Sequence, residues 1–187
     1  MDKASREPNY PWYGVVKDDS LEQGDFFFAL EIYVPNYTGG EIRVGNLVPG
    51  EVQLYDVVVL SQSCDLLNRR NLPLSVLVCP VFDLALASVH LPTFADPKVR
   101  EDARQGKMPG HHMLAQCDLA YFPFGIQVAF FHQILCVPFS YIRTQSGQAR
   151  PRLRLLPPYR EHLAQAFARY VMRVGLPQDI PSLKKNS

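Results

Sequence analysis

A mainly β fold with added α elements, built as a small antiparallel barrel with an inserted short helix and a C-terminal amphipathic helix, is the fold class this sequence predicts. Three observations predict it. The apolar runs are short and rich in Phe, Val and Ile, the residues that suit a pleated, half-buried surface. The 16 prolines, roughly 9% of the chain against a usual level of about 5%, fall between those runs rather than inside them. A long apolar stripe with helical period occurs near the C-terminal end, between Pro158 and Val174.

Taken in order, Asp25 to Val34 (DFFFALEIYV) reads as a strand closed by Pro35, with Phe26, Phe28, Leu30, Ile32 and Val34 on one face. EIRVGNLV, ending at Pro49-Gly50, is a shorter candidate. Glu51 to Ser61 alternates at first and turns continuously apolar over Val57 to Leu60, as expected of a strand buried on both faces in its second half. Leu74 to Phe82 is another strand. Residues 83–118 have a different texture and read as an insertion between strands, a mobile surface segment. Within it Asp96 caps a short solvated helix opened by Pro97 and stopped by Gly106. Strand texture returns in Ile126 to Val137 and in PFSYIRT, and Ser146-Gly147 turns the chain into RPRLRLL. In the closing helix, Leu163, Ala166, Phe167, Tyr170, Val171 and Val174 share one face, and residues 182–187 form a loose tail.

With 187 residues, 47% of them hydrophobic, the expected organisation is a single domain over 1–187 with a sizeable core. Nineteen basic against 18 acidic side chains argue against a strongly basic nucleic-acid binder or a polybasic membrane protein. The start lacks the apolar core of a secretory signal, and no apolar run reaches membrane-spanning length. A cytoplasmic protein without membrane contact is therefore expected. Its four cysteines are too scattered for a disulfide scaffold and should sit reduced.

Candidate chemistry concentrates at Val57 to Arg70, where a buried strand runs out into Ser61, Ser63, Cys64, Asp65, Arg69 and Arg70. A rigid strand fixes the polar residues that follow it. Cys64 qualifies as a nucleophile if a histidine among His90, His111, His112, His132 and His162 reaches it; the alternative is a half-buried cysteine in a polar turn. A metal site finds no close cysteine pair, and adjacent His111 and His112 point to opposite faces of a strand. Neither metal nor cofactor is expected. Cys79 and Cys136 lie inside apolar runs and read as core. Arg150, Arg152 and Arg154 alternate along one strand face, with Arg143 opposite across the turn. The ladder suits phosphates in nucleic acid, and equally reads as the solvated outer face of an antiparallel strand.

The order GDFFFALEI, YDVVVLSQSCD, LVCPVF, FHQILCVPFSYIR, RLRLL and a terminal helix is similar to MazF/PemK-type toxins, over Gly24 to Gly175. The resemblance implies an SH3-like, PemK-like barrel and a toxin–antitoxin or defence-type setting. It also implies metal-independent RNA cleavage by an arginine ahead of the VLS strand and a hydroxyl ending the next. Here Tyr55-Asp56 stands in place of the arginine-proline pair and Cys79-Pro80-Val81-Phe82 in place of the hydroxyl. A second resemblance, to small bacterial proteins with VVxSQSCDL and PPYREHLxQxFxRxxMRVGLP patterns, brings no activity with it. The expected function is thus a non-catalytic binding or adaptor module whose partner is a protein encoded nearby or RNA, with a homodimer allowed. The alternative is a diverged endoribonuclease working through Ser63, Cys64, Asp65 and Arg69, with Arg70, Arg143, Arg150, Arg152 and Arg154 on the nucleic acid.

Overall fold

A computed structural model describes residues 10–36, 48–68, 73–148 and 151–172. The strands are β1 (Tyr13–Val16), β2 (Phe26–Pro35), β3 (Gly50–Val59), β4 (Ser75–Asp83), β5 (His111–Leu114), β6 (Gln127–Phe130), β7 (Leu135–Pro138) and β8 (Arg152–Leu155). The helices are α1 (Ser63–Leu66), α2 (Ala87–His90), α3 (Pro97–Arg104), α4 (Phe139–Gln148) and α5 (Tyr159–Val171). Pairing between the strands is antiparallel. The fold is β-rich with helices, as expected, but the described strands do not close. They form an open six-stranded sheet, β2-β3-β4-β6-β5 with β7 also on β4, and a separate β1-β8 ribbon.

Alternation along the central strands divides the core. Phe26, Val58, Cys79, Val81 and Ala129 face one side, where the β1-β8 ribbon (Tyr13, Leu153, Leu155) and Leu163 of α5 cover them. Phe27, Leu30, Ile32, Val57, Val59 and Val78 face the other, under Phe139 and Ile142 of α4 and Leu66 of α1. The continuous run Val57 to Leu60 is buried on both faces, as its composition predicts.

Three local readings change. A β-bulge falls between Phe27 and Leu30, where three steps along β2 oppose two along β3. One extra residue reverses the alternation, so Leu30 and Ile32 share a core with Phe27 and not with Phe26, while Phe28 turns outward. Ile126 to Val137 is interrupted by a 3₁₀ turn at Phe131–Gln133, so β6 and β7 line different parts of β4. PFSYIRT is the start of helix α4, not a strand. Phe139, Ile142 and Ser146 recur at helical spacing and are the residues α4 buries.

The 83–118 segment is more than a surface insertion, since β5 pairs with β6 and a small core of Ala87, Phe94, Ala103 and Val128 forms beneath it. Within it α3 matches expectation. The Asp96 side chain accepts from the Lys98 N–H at 2.8 Å, Pro97 opens the first turn, and Gly106 follows with φ +69°. Strand β1, too short to show a period, went unread. EIRVGNLV apart from Val48, Val174 of the expected helix face, and the 182–187 tail lie outside the described residues. Among the described residues no helix is long and apolar enough to cross a membrane.

Candidate functional site

The turn after β3 is tied into the backbone. Ser61 Oγ accepts from the Leu77 N–H at 2.9 Å, and Ser63 Oγ accepts from the Gln23 N–H at 3.1 Å. Cys64 is exposed on α1, with Gln62 Oε1 at 3.5 Å and Asp65 Oδ1 at 3.9 Å as its polar neighbours. His111, His112, His132 and His162 lie elsewhere, around β5 and α5. Arg143 is exposed, its guanidinium carbon 5.9 Å from the Phe139 ring centroid, and it shares a shallow cavity with Leu66 and Leu67 beside α1. Arg69, Arg70 and Arg150 lie outside the described residues.

Arg152 and Arg154 do not form an accessible ladder. Both guanidiniums turn inward on Asp25, which is fully buried. Arg154 Nε and Nη2 donate to Asp25 Oδ1 and Oδ2 at 2.5 and 3.0 Å, and Nη1 donates to Glu22 Oε1 at 2.5 Å. Arg152 sits 3.5 Å from the same Asp25 Oδ2, and its amino groups donate to the carbonyls of Asp18, Ser20 and Ser146. Strand β8 is covered on both faces, with all four of its residues buried. Its arginines therefore clamp the segment before β2 instead of facing solvent. Substituting Arg152 removes a buried fold contact, contrary to the expectation for a surface residue.

Cys136 is also corrected, being exposed on β7 while Cys79 and Cys117 are buried. Burial raises the Cys79 and Cys117 thiol pKa values above the ordinary value, which suppresses the reactive thiolate. Iodoacetamide on the native protein should therefore alkylate Cys64 and Cys136 and spare Cys79 and Cys117, as read by peptide mass mapping. Labelling of Cys79 before Cys136 would contradict this packing.

A cavity of about 610 Å³ opens where β2, β3 and β4 meet the loop after β5. That loop is pinned by reciprocal backbone hydrogen bonds of 3.0 Å between Cys117 and Phe124, and its tip presents Tyr121 and Phe122. The bulge in β2 supplies the facing wall. Ala29 holds a left-handed φ of 51°, its N–H donating to Asp56 Oδ1 at 2.8 Å, and this turns Phe28 out to meet the loop. Phe28 stacks on Phe122 at 5.7 Å with ring planes 22° apart, and lies 6.1 Å from Phe124.

Polar groups enter this aromatic wall at Asp56, Asp83 and Gln127. Asp83 Oδ1 accepts from the Ala85 N–H at 2.7 Å and Oδ2 from Gln127 Nε2 at 3.4 Å. Gly125 leaves room for that carboxylate, since a Cβ there would lie 3.2 Å from Oδ2. Among the described residues no lysine or arginine joins the lining. Two smaller cavities adjoin it, one of 490 Å³ sharing Asp56 and Phe82, the other of 280 Å³ sharing Phe28 and Phe122. The cavity does not show in the sequence, where AYFPF lies between the 83–118 segment and the next strand with no period of its own. Three aromatics in four positions of a turn is the available signal, and only the bulge brings Phe28 to them.

A second cavity, of about 460 Å³, lies between α3, β5 and α5 and is lined by Arg104, His111, His112, His162 and Arg169. His111 contacts the rings of Phe94, Phe130 and His132, whereas His112 shares the cavity lining with His162 and Arg169. The two adjacent histidines thus address different neighbours. The His112 Nε2 atom is buried without a hydrogen-bond partner. Among the described residues no three His, Cys, Asp or Glu side chains converge as a metal site. In comparisons with known proteins the chain matches no family model, no curated protein and no solved structure.

Proposed function

We propose that this chain is a non-catalytic binding or adaptor module whose recognition surface is the aromatic cavity at Phe28, Tyr121, Phe122 and Phe124. The observation that carries this reading is the cavity itself. A concave, largely apolar site of this size with a few convergent polar groups is the usual form of a ligand pocket. Its walls are built by a bulge and a pinned loop, elements that hold exposed aromatic rings in place. The bacterial toxin–antitoxin or defence-type setting implied by the sequence resemblance belongs to the same proposal.

Two features favour a protein partner over RNA. Carboxylates at the cavity repel phosphate, and two of the arginines expected on nucleic acid, Arg152 and Arg154, are spent on Asp25. A ribonuclease also needs an acid and a base beside the 2′-hydroxyl, whereas Ser61 and Ser63 are bonded to backbone amides.

A fragment screen by protein-observed NMR tests the proposal, paired with mixed-sequence RNA incubated in EDTA. Hits should perturb Phe122, Phe124 and the Gln127 side-chain amide, and should weaken at least fivefold in Tyr121→Ala. RNA should remain intact. Metal-independent cleavage lost in Asp65→Ala would overturn the proposal in favour of a diverged endoribonuclease, as would hits indifferent to Tyr121.

A further inference from the structure

We infer that the aromatic cavity accepts a cationic side chain of a protein partner, with the arginine guanidinium as the group it fits; this rests on the binding-module reading above. Charge supplies the first argument. Asp56 and Asp83 both line the cavity, and among the described residues neither has an ion-pair partner and no basic side chain joins the lining. The chain as a whole carries a formal net charge of +1, so this local pair of negative charges runs against the molecular average.

Acceptor geometry supplies the second. Asp56 commits Oδ1 to the Ala29 N–H, and no hydrogen bond from a described residue reaches its Oδ2. Among the described residues Asp83 Oδ2 has only the long 3.4 Å contact from Gln127. A guanidinium offers five N–H donors in a planar fork, suited to carboxylate oxygens, and its flat face stacks on aromatic rings. The wall provides such rings in Phe28, Phe82, Tyr121, Phe122 and Phe124, whose π faces attract cations in their own right.

Size and continuity point to a side chain on a polypeptide. The main cavity is far larger than a single ammonium needs, and the adjoining cavities across the Phe28–Ala29 bulge leave room for the residues flanking the inserted arginine.

The test uses the full chain and three capped tripeptides, acetyl-Ala-Xaa-Ala-amide, with arginine, lysine or citrulline in the centre. Citrulline keeps the shape of arginine and removes its charge. Chemical shifts of Phe122, Phe124 and the Gln127 amide report binding. The arginine peptide should bind at least tenfold tighter than the citrulline peptide, with lysine between them. Asp56→Asn and Asp83→Asn retain the oxygen that accepts from the Ala29 and Ala85 amides, and each should weaken arginine binding about fivefold to tenfold with an unchanged circular dichroism spectrum. Equal binding of arginine and citrulline, or arginine binding indifferent to both variants, would overturn the inference while leaving the cavity a binding site. Tightest binding by lysine would overturn the assignment to arginine. If no tripeptide binds, the cation inference falls, and the fragment screen decides separately whether the binding-module reading falls with it.

Discussion

Replacing Asp25 by alanine should destabilise the protein by about 3–5 kcal/mol, the range for removing one partner of a buried ion pair. The loss exceeds that of an ordinary salt bridge because two guanidiniums depend on one carboxylate. The Arg152 and Asp25 side chains are 1% and 0% exposed, and that of Arg154 is 11% exposed. Asp25 Oδ2 also accepts from the Glu22 N–H at 3.0 Å, so the carboxylate fixes the backbone turn that leads into β2. That turn depends on Gly24 as well, with φ +85° and a hypothetical Cβ 3.1 Å from Leu155. Without Asp25, Arg154 keeps Glu22, whereas Arg152 is left with carbonyl oxygens alone and a buried Nε that already lacks a partner. Urea unfolding followed by circular dichroism measures the loss. The double variant Asp25→Leu/Arg152→Met should recover part of it, since it also removes the guanidinium that loses its carboxylate, while Arg154 keeps Glu22. A loss below about 1 kcal/mol for Asp25→Ala would mean that water reaches the cluster.

Composition and period revealed the elements whose burial is one-sided or complete. Strand β3 changes from alternating to continuous at the point where β4 joins it, and α5 shows an apolar stripe. Asp96-Pro97 and Gly106 mark α3 through backbone chemistry, which is local and therefore readable. What stayed hidden depends on contacts distant in sequence. Arg152 and Arg154 have the alternation of a solvated strand, and only pairing with β1 and the approach of Asp25, 129 positions from Arg154, makes them interior. The bulge at Ala29 leaves no glycine as a mark, because the Asp56 side chain holds the left-handed backbone from the neighbouring strand. Without the bulge, Phe28 reads as core and the aromatic cavity loses a wall. Helix α4 reads as a strand in the sequence because Phe139, Tyr141 and Ile142 suit both states, and packing on the sheet decides between them.

Acidification should destabilise the protein over the window from about pH 6.5 to about pH 4, with the α3–β5–α5 histidines as a principal cause. Burial, with smaller contributions from the charges of His162 and Arg169, lowers His112 from 6.5 to about 4. Burial and the neighbouring His132 lower His111 likewise to about 4. Both rings are then neutral in the folded protein and protonated in the unfolded chain throughout that window. The unfolded state binds more protons there, so stability rises with pH. Equivalently, the contribution is fully present above the unfolded value near 6.5 and is lost as pH falls toward the folded value. A shift of that size on the more enclosed His112 corresponds to roughly 3 kcal/mol, with a smaller share from the half-exposed His111 after solvent screening. Glu101 titrates lower, held at about 2 by its hydrogen bonds from Arg104 and Gln105. Its stabilising share therefore begins to fade only below about pH 4.5, the ordinary glutamate range, largely past the histidine window. Urea midpoints at pH 7.5, 6 and 4.5 should fall steadily in the wild-type chain. His112→Gln, which keeps a polar side chain that does not titrate, should flatten the slope by about half. An unchanged slope in this variant, or imidazole titration of His112 near 6.5 by NMR, would show that its ring is solvated in the folded state.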